Sequence, residues 1–316
     1  MTTEPGSLEG LLPAPRRAPA SLPHWRREQS RAFATGLAPA LFVLTVITLG
    51  PTVYLLVTSL TPLDPVHPHS ALDFSDPLGN YQTLLGDGRF LNSVWAQTKL
   101  SVATVGLQLA IGLGVALLLN AGSRFLETAR TAFILPMVLP PIVVAVIWKV
   151  IFTPDVSPLH RSLDAFGLPL RSLIADADLA LWAIAVADTW EWFPLTMLMV
   201  LAALQTVPED LLDAARVDGA GRVQTTVHII LPFIRGTLMV AGLFRLIDSI
   251  KAFPLIYLLT DGGPGSVTEV TNYYAFQQAF NFSYLGFSAA ITAVLVAATL
   301  ILSWMVVRLT GWGDAE

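Results

Sequence analysis

Six apolar runs, each long enough to cross a bilayer, constrain this chain more than any other feature. They lie at 37–60, 94–119, 131–152, 179–205, 236–259 and 285–307. A hydrocarbon core about 30 Å thick takes about 20 helical residues to cross. Backbone inside lipid must satisfy its own hydrogen bonds, which an α-helix does within one segment. The expected fold is therefore an all-α integral membrane protein with six transmembrane helices. Composition agrees, because only 13% of residues are charged, against about 25% in a soluble domain. The third run contains Pro136, Pro140 and Pro141, which are expected to kink it as membrane helices tolerate.

Residues 1–35 are rich in Pro and Arg and lack the short apolar core of a cleavable signal. They are expected to form a disordered cytoplasmic tail ahead of a transmembrane domain at 36–316. Lys and Arg in loops set the orientation of such a domain. Arg16, Arg17, Arg26, Arg27, Arg31, Arg124, Arg130, Arg216, Arg222, Arg235 and Arg308 fall on one side, and Arg89, Arg161 and Arg171 on the other. Eleven against three puts both termini in the cytoplasm, together with the loop between the fourth and fifth runs.

That loop holds LLDAARVDGAGRVQTTVHIILP, residues 211–232. Pro208 suits the first turn of a helix, and Glu209 and Asp210 complement the positive end of its dipole. The helix is expected to stop at Gly219, where a backbone without Cβ can turn sharply. A second piece, RVQTTVHII, then runs to Pro232 at the edge of the next span. Ala214 and Ala215 keep one surface thin enough for a partner to approach closely. A plain connector would not need about thirty residues, so the length favours an interaction device.

The spacing Asp213-Ala214-Ala215-x3-Gly219-x9-Ile229-x-Leu231-Pro232 resembles the EAA motif of ABC-importer permease subunits. Asp213 stands where that family usually carries Glu, and Arg235-Gly236 where a further Pro is often found. The resemblance covers roughly residues 92–310. Within the class, Thr260-Asp261-Gly262-Gly263-Pro264 and the aromatic-rich segment after it are similar to the carbohydrate-importer branch of maltose and glycerol-phosphate type. The resemblance implies a coupling-helix elbow between helices four and five, seated in a cleft of a cytoplasmic ATPase. Gly219 would make the turn that fits the cleft, and Asp213 would contact polar groups on its wall.

The implied partners are two ATP-binding cassette subunits carrying ATP and Mg, a second permease subunit of a different chain and an external solute-binding protein. The implied solute is a sugar, and the implied site is a bacterial cytoplasmic membrane. Membrane lipid is the remaining partner, and no nucleic acid is expected. The chain's own lysines are Lys99, Lys149 and Lys251, and none precedes Ser or Thr. A phosphate-binding G-x-x-x-x-G-K-[ST] loop is therefore absent, and any ATP must be bound elsewhere.

Charges inside spans cost roughly 2.5–3.5 kcal/mol each on insertion scales and need partners or a purpose. The fourth run holds Asp188 and Glu191, and the fifth holds Arg245, Asp248 and Lys251 at three-residue steps. Depths counted inward from Leu179 and Leu259 match for the pairs Asp188–Lys251 and Glu191–Arg245. Two readings stand side by side: an ion-pair network that sets helix register, or a polar patch lining a translocation path. In the second, an indole such as Trp190 or Trp192 stacks on a sugar while charged groups bind its hydroxyls.

By resemblance to maltose-type permeases, the solute would be met by Asp188, Thr189, Trp190, Glu191, Trp192 and Leu195, then by Arg245, Ser249 and Ala252. Asp248 and Lys251 join that group by their spacing. The set carries more charge than the Asn- and Ser-rich maltose pattern, and Arg245 and Lys251 would suit a phosphate-bearing solute.

Neither catalytic residues nor a metal site are expected. Cysteine is absent, and His24, His67, His69, His160 and His228 all fall in loops. An intramembrane hydrolase would need a His within a span, and an acid pair of Asp188 and Glu191 is opposed by their cationic neighbours. The alternative of a secondary transporter driven by an ion gradient would show inverted repeats. None is visible between 37–152 and 179–307.

Overall fold

A computed structural model of the chain describes residues 24–120, 124–167 and 171–310. Apart from one isolated bridge, Asp64 to His67, every regular element among these residues is helical. The first half contains α1 (His24–Ser59), α2 (Gly79–Gly86), α3 (Gly88–Leu119), α4 (Arg124–Val138), α5 (Pro141–Phe152) and α6 (Pro158–Ala165). The second half contains α7 (Ala180–Leu204), α8 (Glu209–Val217), α9 (Arg222–Thr225) and α10 (Leu231–Ile250). It ends with α11 (Pro254–Leu259), α12 (Thr271–Phe276) and α13 (Leu285–Thr310). Single π-turns occupy Thr226–Ile230 and Gln277–Asn281.

The all-α membrane architecture is the one expected. Thr35–Ser59, Gly88–Leu119, Ala180–Leu204, Arg222–Ile250 and Leu285–Arg308 are each long and apolar enough to cross a membrane. Two expectations need correction. In the third run, where the prolines predict a kink, Arg130–Val138 and Pro141–Phe152 meet at 103° across a break. Pro140 is extended at φ −58°, ψ 136°, and Pro141 opens the next helix. The residue before a proline is pushed out of the helical region, so two successive prolines end one helix and start another.

The fifth run, expected at 236–259, is a helix that ends at Ile250, with α11 starting separately at Pro254.

The described residues up to Tyr54 belong to one unit, and those from Leu55 onward to a second. In the first, α1 continues through Pro39 and Pro51. It takes in 24–35, assigned by sequence to a disordered tail, and residues 1–23 lie outside the described residues.

The second unit is built around α7, of whose most apolar window 67% is buried. Lipid supplies no hydrophobic force between helices, so association depends on close contact, which small side chains permit. Ala180, Ala183, Ala185 and Ala187 are buried along α7. A Cβ on Gly112 of α3 would fall 2.7 Å from Thr196 Cβ of α7, so the two backbones meet where only glycine fits.

The inner core joins α3, α5, α7 and α11 through Leu100, Val144, Ile184 and Ile256. A second cluster, including Ala116, Met197, Val200 and Ile234, joins α3, α7 and α10. The ends predicted to be extracellular are laced by polar contacts. Arg89 donates two 2.8 Å bonds to buried Glu269, and Asn92 donates to the Ser266 carbonyl at 2.9 Å. Tyr274 donates to Asp87, and burial together with that acceptor pushes its phenol above the usual range.

Candidate functional site

Two polar features interrupt the apolar frame. The first is buried among α3, α7 and α10. Gln108 donates to the Asp188 carboxylate at 2.8 Å and accepts from Arg245 Nε at 2.8 Å. Arg245 reaches Asp248 at 3.0 Å and Asp188 at 3.9 Å, and its guanidinium lies 4.8 Å from the Trp192 ring centroid. A turn further on, Ser249 donates to Ser101 at 2.8 Å, and Gln97 donates to Ser101 and to the Ser249 carbonyl, both at 3.0 Å. Arg245 is 1% exposed, Glu191 1% and Gln108 0%. A buried charge needs a charge and hydrogen-bonding partners, and this lattice supplies them from three helices.

The pairs expected from depth counting are corrected by this geometry. Asp188 meets Arg245, not Lys251, because α10 ends at Ile250 and Leu259 belongs to the separate helix α11. Lys251 caps that end and forms no ion pair among the described residues. Glu191 is not paired with Arg245; its Oε1 is buried without a hydrogen-bond partner. Thr189 Oγ1 is likewise buried and unpartnered. Trp190 turns away from the network to meet Trp148 edge-on at 5.8 Å. Ala252 packs with the inner core, and Leu195 is half-buried.

Sequence reasoning missed the contribution of α3. Its signal was present: Gln97, Ser101, Thr104 and Gln108 recur at helical spacing within an apolar run and are all buried. The histidines also differ from expectation. His24 lies in α1, His160 is buried in α6 and His228 sits in the π-turn. Among the described residues, no group of three or more His, Asp or Glu side chains converges as a metal site would require.

The second feature is the elbow at 208–232. Pro208 precedes α8, whose first turn carries Glu209 and Asp210 and whose last carries Arg216. The helix closes with Gly219 N–H on the Arg216 carbonyl and Ala220 N–H on the Ala215 carbonyl. Gly219 has φ +76° with open space around it, so conformation, not crowding, selects glycine there. Asp213 pairs with Arg216 at 2.7 Å, both exposed. Ala215 is buried and Ala214 is exposed. Val217 and Val223 are 87% and 76% exposed, so the bend offers apolar side chains beside charged ones.

Beyond it, the second helical piece and the span whose edge Pro232 was expected to mark are one continuous helix. The Leu231 N–H bonds the Thr226 carbonyl in a π-turn, and the helix runs on into α10. Proline has no N–H to donate one turn back, and the wider turn absorbs the missing bond. Ile229 and Leu231 lie half-buried on either side of this junction.

Residues 108–311 match the family described as binding-protein-dependent transport system inner membrane component. The trehalose/maltose transport system permease protein MalF of Thermococcus litoralis is 32% identical over 232 residues, 73% of this chain and 78% of that one. The trehalose transport system permease protein SugA of Mycobacterium tuberculosis is 30% identical over 277 residues, 87% of each chain. The fold is similar to that of a bacterial ABC transporter involved in import of the acidic polysaccharide alginate. The TM-score is 0.78 at 18% identity, covering 91% of this chain and 98% of that one.

Proposed function

The chain belongs to the family of binding-protein-dependent transport system inner membrane components, and from that premise we propose that it forms half of the translocation path of an ATP-driven sugar importer. As a member it is a multi-pass inner-membrane transport subunit and not an ion-driven secondary transporter. Relatives named for trehalose, maltose and sulfoquinovosyl glycerol support a sugar or sugar-related solute.

The elbow carries the mechanistic part of the reading. Its motif residues Asp213, Ala214, Ala215, Gly219, Ile229, Leu231 and Pro232 lie along a bend that also exposes Val217 and Val223. Such a surface suits the cleft of a cytoplasmic ATPase subunit. ATP and Mg belong to two such subunits, whose closure moves the elbow and, through the continuous helix at Arg222–Ile250, the spans. A second permease of a different chain completes the path, and both termini lie in the cytoplasm.

An external solute-binding protein delivers the sugar. In the related alginate transporter, a periplasmic protein carrying an alginate pentasaccharide was captured in complex.

The burial of Asp188, Glu191, Arg245 and Ser249 supports the register-setting reading of the polar network. Of the candidate path residues, Asp248 and Lys251 are exposed, and Trp190, Trp192, Leu195 and Ala252 are half-buried.

Affinity purification of the tagged chain from its native cell, after mild solubilisation, tests the assignment. An ATPase, a sister permease and a solute-binding protein are expected to co-purify. Recovery of the chain alone, or as a homodimer without an ATPase, would refute the coupling role.

A further inference from the structure

The faces of α10 have different fates. Arg245 and Ser249 point into the network with α3 and α7, whereas Ile247, Ile250 and Lys251 help line a hollow of about 400 Å³ against α13. On the α13 side its wall runs from Thr292 past Leu295, Val296 and Leu300 to Ser303. The hydroxyls of Thr292, Thr299 and Ser303 each donate to the carbonyl four residues back, at 2.9, 2.8 and 2.7 Å. Their polarity is spent inside the helix, and the wall is aliphatic in character.

The polar groups gather at one end. Asn272 donates to the Lys251 carbonyl at 3.2 Å, and Asn272 and Thr292 both continue into a neighbouring hollow beside Phe253. Lys251 is exposed and forms no ion pair among the described residues, since Asp248, one turn before it, is taken by Arg245. Lys251 follows a continuous 29-residue helix from the elbow, about 43 Å long at 1.5 Å per residue. Its flexible stem carries the ammonium to the headgroup layer remote from the elbow. From that end, the wall between Thr292 and Ser303 descends about 16 Å, half of a hydrocarbon core about 30 Å thick.

A cationic end and one leaflet's depth of aliphatic wall make the outline of a single amphiphile. We propose that this hollow is a site for an anionic phospholipid of the leaflet remote from the elbow. An acyl chain lies along the α13 wall. The phosphate accepts from the Lys251 ammonium and from the second N–H of the Asn272 amide. A zwitterionic lipid brings its own ammonium to the same place and is disfavoured by like charge. The bound lipid joins the end of α10 to α13.

The importer is purified through the tagged chain, stripped of lipid and reloaded from equal amounts of phosphatidylglycerol and phosphatidylcholine. Native mass spectrometry then identifies what is held. The wild type is expected to hold phosphatidylglycerol in preference. Lys251→Gln is expected to lower that retention several-fold, and Lys251→Arg to keep it. Thr299→Phe, which fills the wall, is expected to lower retention of either lipid. Ala297→Phe, exposed and about 200° round α13 from Thr299, should leave it unchanged. One variant removes the headgroup contact and the other the tail contact, so either tests the site if its companion fails to assemble.

Equal retention in the wild type, Lys251→Gln and Thr299→Phe places any bound lipid elsewhere and overturns the proposal. Phosphatidylcholine held as well as phosphatidylglycerol overturns the headgroup assignment. A wild type that holds no lipid, with loss of the sister permease from Thr299→Phe, makes the hollow a protein interface, with the same consequence.

Discussion

Arg245 is the side chain on which three helices converge. It bonds Gln108 of α3 and Asp248 of its own helix, and faces Asp188 of α7. Removing one partner of a buried pair leaves an uncompensated charge, which typically costs about 3–5 kcal/mol, whereas replacing both by apolar groups is often neutral. Arg245→Met is therefore expected to lower the thermal unfolding temperature of the purified chain in detergent markedly. The double variant Arg245→Met with Asp188→Leu should recover most of that loss. Equal loss in both variants would show that the pair does not carry the register.

At this scale the sequence was half legible. Asp188 and Arg245 announce themselves as charges in apolar runs, but their pairing depended on where α10 ends. Nothing in the apolar pattern marked Ile250 as that end, because Leu255, Ile256 and Leu259 continue it. Neutral Gln108 drew no notice beside the charged groups it connects.

Among the elements, the α3–α7 seam sets the tolerance of the whole second unit. At Gly112 an added methyl group meets the Thr196 side chain and the Met197 backbone nitrogen at 3.0 Å. Backbone cannot swing aside as a flexible side chain does, so Gly112→Ala must separate the helices. Overpacking of this kind typically costs about 1–3 kcal/mol. Gly114→Ala, where an added Cβ has nothing within 4 Å, should be nearly silent. Parallel unfolding curves for the two variants check the contrast.

Helix type was legible in the long apolar runs, because such runs admit one structure in lipid, whereas the short helices α2, α6 and α12 carried no such signal. Breaks were not legible, because they arise from local proline geometry within an unchanged apolar pattern. The 103° turn after Val138 is the clearest instance.

For the whole molecule, the proposed coupling requires that a movement begun outside the chain reach its spans. Gly219 is the one backbone point in the elbow with a left-handed conformation. A residue with a Cβ adopts it at a cost of roughly 1–2 kcal/mol. Gly219→Arg is expected to leave the chain in the membrane at near wild-type abundance while abolishing solute uptake. Membrane immunoblotting and uptake assays in whole cells separate those two effects. Normal uptake by the variant would remove the elbow from the coupling scheme.

The π-turn at Thr226–Ile230 acts as a phase setter. Each residue of an α-helix advances the azimuth by about 100°. A turn closed by one extra residue therefore displaces everything upstream of it around the helix axis relative to everything downstream. The compass bearing at which the elbow leaves the span is thus written in a single widened turn, and the same torque applied at another bearing would pull on different walls of the path.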